Sequence, residues 1–244
     1  MIATIAGVTV RSLLARRRAV LMLLLAGVPV LVGLLGRLQD QTGDPLEQTA
    51  DVLEALVVAT LLPLLSLVFG TAALGAELED GSAIHLLTKP VARWRIVAAK
   101  TVAAAPVAAA LAGAATLLSG LLISGDRGGA GLTVAFTLAV VAGAVVYVVL
   151  FLALSILTTR ALVVGLAYIV VWEGMLAGLF EGTRILSVRQ YVISFATALD
   201  PSGTTDASDA LALPVAVVGA LVVLALALGV AIRGLERYQL AAGD

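Results

Sequence analysis

Long apolar runs separated by short polar stretches set the pattern of this chain. Six of them cover about residues 19–36, 53–74, 96–123, 133–157, 161–180 and 213–232. Each is close to the ~20 residues an α-helix needs to cross the hydrocarbon core of a bilayer. The pattern predicts an all-α integral membrane protein with six transmembrane helices in a single domain, 1–244, with no repeat of fixed period. The first run is uncharged from Ala19 to Gly36. The second carries Glu54 at its rim and Pro63 inside, which predicts a kink supported by neighbouring helices. In the third, Lys100 lies near enough to the start to reach back to water. The turn from Thr158 to Arg160 is very tight, and the fifth run holds Glu173.

The flanks have patterns of their own. Over residues 1–18, Thr4, Arg11 and Arg18 recur every seven positions with Ile2, Ile5, Val10, Leu13 and Leu14 mostly opposite, which predicts an N-terminal amphipathic elbow helix at the membrane interface. The cluster Arg16-Arg17-Arg18 follows the apolar positions and precedes the first long run, which is not the layout of a signal peptide. Before the last span, residues 181–212 hold an amphipathic run from Ile185 to Leu199 with Tyr191 and Phe195, then the break Asp200-Pro201-Ser202-Gly203. An interfacial helical segment followed by a polar loop is expected there.

Polar chemistry is densest from Gly75 to Thr101, between the second and third spans. Glu77, Glu79 and Asp80 come first, and Gly81 is a natural helix stop with Ser82 as the next N-cap. A short apolar run from Ile84 to Leu87 follows, and then Lys89, Pro90, Arg93, Trp94 and Arg95, with Pro90 suited to the first turn of a new helix. The order is acidic turn, short amphipathic helix, basic helix started by proline. One expectation is a folded loop offering Ile84, Leu86 and Leu87 to something outside the bilayer; the other is an ordinary loop with a basic flank.

Glu77, Glu79, Gly81, Leu86, Leu87, Thr88, Lys89, Pro90, Val91, Arg93, Ile96 and Lys100 together form a pattern that resembles the cytoplasmic segment between the second and third spans of ABC type-2 permeases. The resemblance implies the membrane-spanning half of an ATP-binding cassette exporter. It makes this segment a cytoplasmic coupling helix, with Glu77, Glu79, Gly81, Leu86, Leu87, Lys89, Pro90 and Arg93 docking on an ATPase subunit. It further implies that a second permease copy or a paralogue completes the assembly, and that residues 181–212 are outer helices capping the pathway. ATP and Mg are expected on the partner ATPase, with no cofactor in this chain. Ile84 and His85 stand where many family members have an acidic residue, so a role for that acid does not carry over.

Composition and charge sharpen this. The chain is 61% hydrophobic and 13% charged over 244 residues, where a soluble domain carries about 25% charged residues. A net charge of −1, with no basic patch interleaved with aromatics, gives no reason to expect a nucleic-acid partner. With no Cys and one His, His85, thiol chemistry and a histidine metal site have no material. Of 15 Lys and Arg residues, a cytoplasmic N-terminus places 11 on the inner side, leaving Arg37, Arg127, Arg184 and Arg189 outside. A multi-pass protein of the cell membrane with both termini cytoplasmic is therefore expected. The sequence holds no G-x-x-x-x-G-K-[ST] phosphate cradle, so ATP used for transport would be bound by another chain.

Glu173 is the one intramembrane ionisable group without an obvious route to the interface, about 10 Å before the end of its span. A carboxylate there is a functional candidate by default. The alternatives are a protonated group, or one paired with an arginine such as Arg184, that merely anchors the helix. A proton-coupled secondary transporter using Glu173 and a non-transporting membrane scaffold are the rival readings.

Overall fold

The structure is a computed structural model that describes residues 16–38, 44–79, 92–124, 128–177, 181–205 and 210–241. Among them every regular element is helical. Helix α1 spans Arg16–Leu38; α2, Pro45–Val52, runs directly into a π-helical segment, Leu53–Leu61, and on into α3, Leu62–Glu79. Helices α4, Arg93–Ser124, and α5, Ala130–Leu157, follow. Next come α6, Ala161–Ala167, and a second π-helical segment, Tyr168–Leu176. A 3-10 turn, Glu181–Leu186, leads to the short α7, Val188–Leu199, and the long α8, Leu213–Ala241.

Five of these helical stretches are long and apolar enough to cross a membrane: Val20–Leu38, Pro45–Leu74, Arg93–Ser124, Ala130–Leu157 and Leu213–Glu236. The expected fifth span corresponds to a shorter apolar helix, Ala161–Leu176. The elbow helix expected over 1–18 lies almost wholly outside the described residues. The polar stretch after the first span is partly helix rather than loop. Asp44 caps α2, its Oδ1 accepting from the Leu46 N–H at 2.9 Å, and Pro45 takes the first helical position.

The expected disturbance at Pro63 takes a definite form. A proline within a helix lacks an N–H and crowds the carbonyl four residues earlier. Here the wider π winding ends at Leu61, and α-geometry resumes at Leu62 with Pro63 in the first turn of α3. Within the π segment Thr60 Oγ1 donates to the Ala55 carbonyl five residues back at 3.0 Å, following the i→i+5 register.

Helix α5 is the axis of the bundle and packs against α3, α4, α7 and α8. In its most apolar window 67% of residues are buried, against 17% in α1 and 22% in α8, which form the rim. Between lipid-immersed helices close packing supplies the attraction, because burial from lipid gains no hydrophobic energy. Small residues permit it: Ala104, Ala108, Ala112 and Ala115 are buried along α4, and a Cβ on Gly70 of α3 would lie 2.8 Å from the Val148 carbonyl oxygen of α5. Several hydroxyls inside the bundle bond to their own helices, as Thr116 does to the Ala112 carbonyl at 2.7 Å and Thr137 to the Thr133 carbonyl at 2.7 Å.

Lys100 departs from expectation. It is 1% exposed instead of reaching back to water. One face of the first turns of α4 is interior, with Ile96, Val97 and Ala99 buried beside it, so a position that hydropathy places at the rim is enclosed by packing.

Candidate functional site

The site begins with the winding of the second π segment. On an α-helix, residues five apart point about 140° away from each other. The π register brings them onto one side, and Tyr168 donates its hydroxyl to Glu173 Oε1 at 2.8 Å. Glu173 is buried, and its other partners come from the start of α7. The Val188 N–H donates to Oε1 at 3.0 Å and the Ser187 hydroxyl donates to Oε2. Ser187 is also the N-cap of α7, its Oγ accepting from the Gln190 N–H at 3.2 Å. One carboxyl group thus receives three donors, two of them at the N-terminus of α7, which offsets much of the cost of burying it.

The surrounding layer is aromatic. Tyr147 of α5, fully buried, stacks on Phe151 with ring centroids 5.9 Å apart, and Phe151 meets Tyr168 edge-on at 6.1 Å. Trp172 Nε1 donates to the Leu186 carbonyl at 3.4 Å, and the Tyr191 hydroxyl donates to the Ile185 carbonyl, so the 3-10 turn is held from both sides.

A second acid reaches the same place. Glu54, from the first π segment, accepts from Arg189 Nη2 at 3.1 Å, and both side chains are partly exposed. Helix α7 is otherwise seated by shape. A Cβ on Gly143 would collide with Val192, one on Gly219 would lie 2.8 Å from the Tyr191 ring, and Ser194 Oγ accepts from the Leu211 N–H at 2.9 Å. Beyond α7, Asp200 closes a turn by accepting from the N–H groups of Ser202 at 2.9 Å and Thr204 at 3.0 Å. Partial burial pushes the Asp200 carboxyl up, but hydrogen bonds from Ser202 and Thr205 outweigh it and hold the group below the ordinary carboxylate range.

Of the residues assigned to coupling, Glu77 and Glu79 lie in the last turn of α3, and Arg93, half-buried, opens α4. Gly81, Leu86, Leu87, Lys89 and Pro90 lie outside the described residues. Next to Arg93, Trp94 is exposed with the Arg95 guanidinium 5.4 Å from its ring centroid, an arrangement suited to a membrane interface. Among the described residues no group of three His, Cys, Asp or Glu side chains converges to hold a metal ion.

The sequence model of the ABC-2 family transporter proteins matches residues 8–232, nearly the whole chain. The protein belongs to the ABC-2 transporter family. No curated protein matches the chain. As an ABC-2 family member it is a multi-pass membrane permease, and its chemistry is that of a transport component.

In this ABC-2 permease, sequence reasoning located Glu173 but not its partners. Those partners include the neutral donors Tyr168, Ser187 and the Val188 amide. Tyr168 five residues before Glu173 is a visible signal only once the π winding is known. The pair of Glu54 with Arg189, 135 residues apart, has no local signal at all. Chemically the arrangement joins the Glu173 carboxyl to the start of α7 through Ser187 and the Val188 N–H.

Proposed function

We propose that this chain is the membrane-spanning half of an ATP-binding cassette exporter, moving its substrate with ATP hydrolysed on a separate subunit. The observation that carries this is the ABC-2 family match over residues 8–232, in a chain whose sequence has no phosphate cradle of its own. In this reading Ala161–Leu176 completes a sixth crossing. Its start is packed on the bundle through Gly165, beside Leu67 and Phe151, and its far end carries Glu173 to Ser187 at the opposite end. Leu162, Val163, Val170, Val171 and Met175 along it are exposed as lipid-facing residues would be. Both termini and residues 76–95 lie in the cytoplasm, α7 lies on the outer side, and residues 77–95 form the coupling segment that docks on the ATPase. Two permease copies, or one and a paralogue, enclose the pathway at their interface, and closure of the ATPases acts on the spans through the coupling segment.

The three donors that occupy Glu173 favour an anchoring role over that of a proton carrier. Purification of the intact protein from its own membrane in mild detergent, with identification of what accompanies it, tests the reading. A stoichiometric ATP-binding cassette subunit is expected. Recovery of the permease without one, together with transport that tracks the proton gradient, would sink the proposal. Orientation is tested separately by single cysteines at Thr42, Ser82 and Ser202 in this cysteine-free chain. An impermeant maleimide added to intact cells should reach Thr42 and Ser202 but not Ser82.

A further inference from the structure

Two acids, each the single acid of its π-helical segment, converge on three consecutive residues at the start of α7, its N-cap and first two positions. Glu173, from Tyr168–Leu176, holds Ser187 and Val188; Glu54, from Leu53–Leu61, holds Arg189. These segments lie in different helices, and their own ends are joined through this turn. The same short helix is locked along its length, with Val192 seated at Gly143 of α5, Tyr191 at Gly219 of α8 and Ser194 bonded to Leu211. We propose that α7 is a brace: its start ties the two π segments to each other, with Glu173 and Glu54 as positioning residues, and the π segments are the joints below it.

The physical case rests on the asymmetry of stiffness. α7 is held by the buried Glu173 carboxyl through Ser187 and the Val188 N–H, by interlocked side chains and by an ion pair, so it opens only at high cost. A π winding is a helical irregularity whose i→i+5 bonds are uncommon and occur often at functional sites. Movement of the α3 or α6 end of either helix is then absorbed in the π segment while the braced end stays in place. A loosely attached lid would instead move as a unit on its own hinges, leaving the two π segments independent of one another. This concerns how the chain holds its own helices, and stands whether or not an ATPase partner is found.

Hydrogen–deuterium exchange on the full-length protein in detergent separates the two. Glu173→Ala should speed exchange of residues 188–199 by about tenfold or more. It should also speed that of 53–61 by at least about twofold, although no atom of the first π segment is altered. Glu173→Gln, which keeps one acceptor oxygen, should fall between. Residues 93–124, which make no part of the brace, should be unchanged. Faster exchange confined to 168–199 overturns the proposal. If Glu173→Ala loosens the whole chain, the reciprocal variant Glu54→Gln decides: it should speed exchange of 168–176, and no effect there overturns the brace equally.

Discussion

Tyr168 donates its hydroxyl to Glu173 at 2.8 Å across five residues of one helix, a contact that exists because the helix is wound as a π-helix there. The pair therefore reports on the winding as much as on the acid. Removing the donor leaves a buried carboxylate short of one hydrogen bond, and bonds to charged groups contribute about 1.5–3 kcal/mol. Tyr168→Phe should lower the melting temperature in detergent. Glu173→Gln should lower it less than Glu173→Ala and retain transport in membrane vesicles. Loss of transport in a Glu173→Gln protein of parental melting temperature and expression would assign the charge a direct role.

Helix approach at Gly70 sets a second expectation. An added Cβ meets the Val148 carbonyl oxygen at 2.8 Å and Phe151 Cβ at 3.0 Å, so α3 and α5 must move apart. Gly70→Ala should destabilise by about 1–3 kcal/mol. Gly27→Ala, with nothing within 4 Å of the new Cβ, should be neutral or stabilising by at most about 1 kcal/mol. Thermal unfolding of the two variants in parallel decides, and equal losses would contradict the packing.

Acidification probes the turn after α7. The Asp200 carboxyl is depressed in the folded chain, so the stability it contributes is fully present above the ordinary Asp value near 3.9 and is lost as pH falls through the folded value. Asp200→Asn should melt below the parent at pH 5–7, and the gap should close below about pH 4. A gap that widens in acid would refute the assignment.

Docking on the ATPase should rest on apolar anchors in the segment between α3 and α4. Desolvated aliphatic side chains gain about 1.5–3 kcal/mol each, whereas exposed ion pairs contribute about 0–1 kcal/mol. Leu86→Asp combined with Leu87→Asp should abolish association with the ATPase while the membrane domain still inserts, and Arg93→Ala should weaken coupling less. Full co-purification of the ATPase with the double variant, with ATP hydrolysis still stimulated by substrate, would place docking elsewhere.

The all-helical class and five of the six apolar runs as helices of spanning length were legible in the sequence, because a bilayer imposes its test locally. Every backbone group in lipid must bond within its own segment, and ~20 apolar residues suffice to signal it. The described helices accordingly cover five of the six runs at spanning length, extending beyond them at their ends, as α2 does when it adds Pro45–Val52 to the second. Lone charges also stand out against such a background, which is how Glu173 was found. What the sequence could not hold was which face of each helix is interior. An all-round apolar helix has no polar side to orient it, so hydropathy does not separate α5, at the centre with a mean hydropathy of 2.8, from α8, at the rim with 3.0. Tertiary packing alone enclosed Lys100 and brought Glu54 to Arg189 and Glu173 to Ser187. Those contacts depend on how several helices fit around α5, a sum over distant residues that no local pattern records.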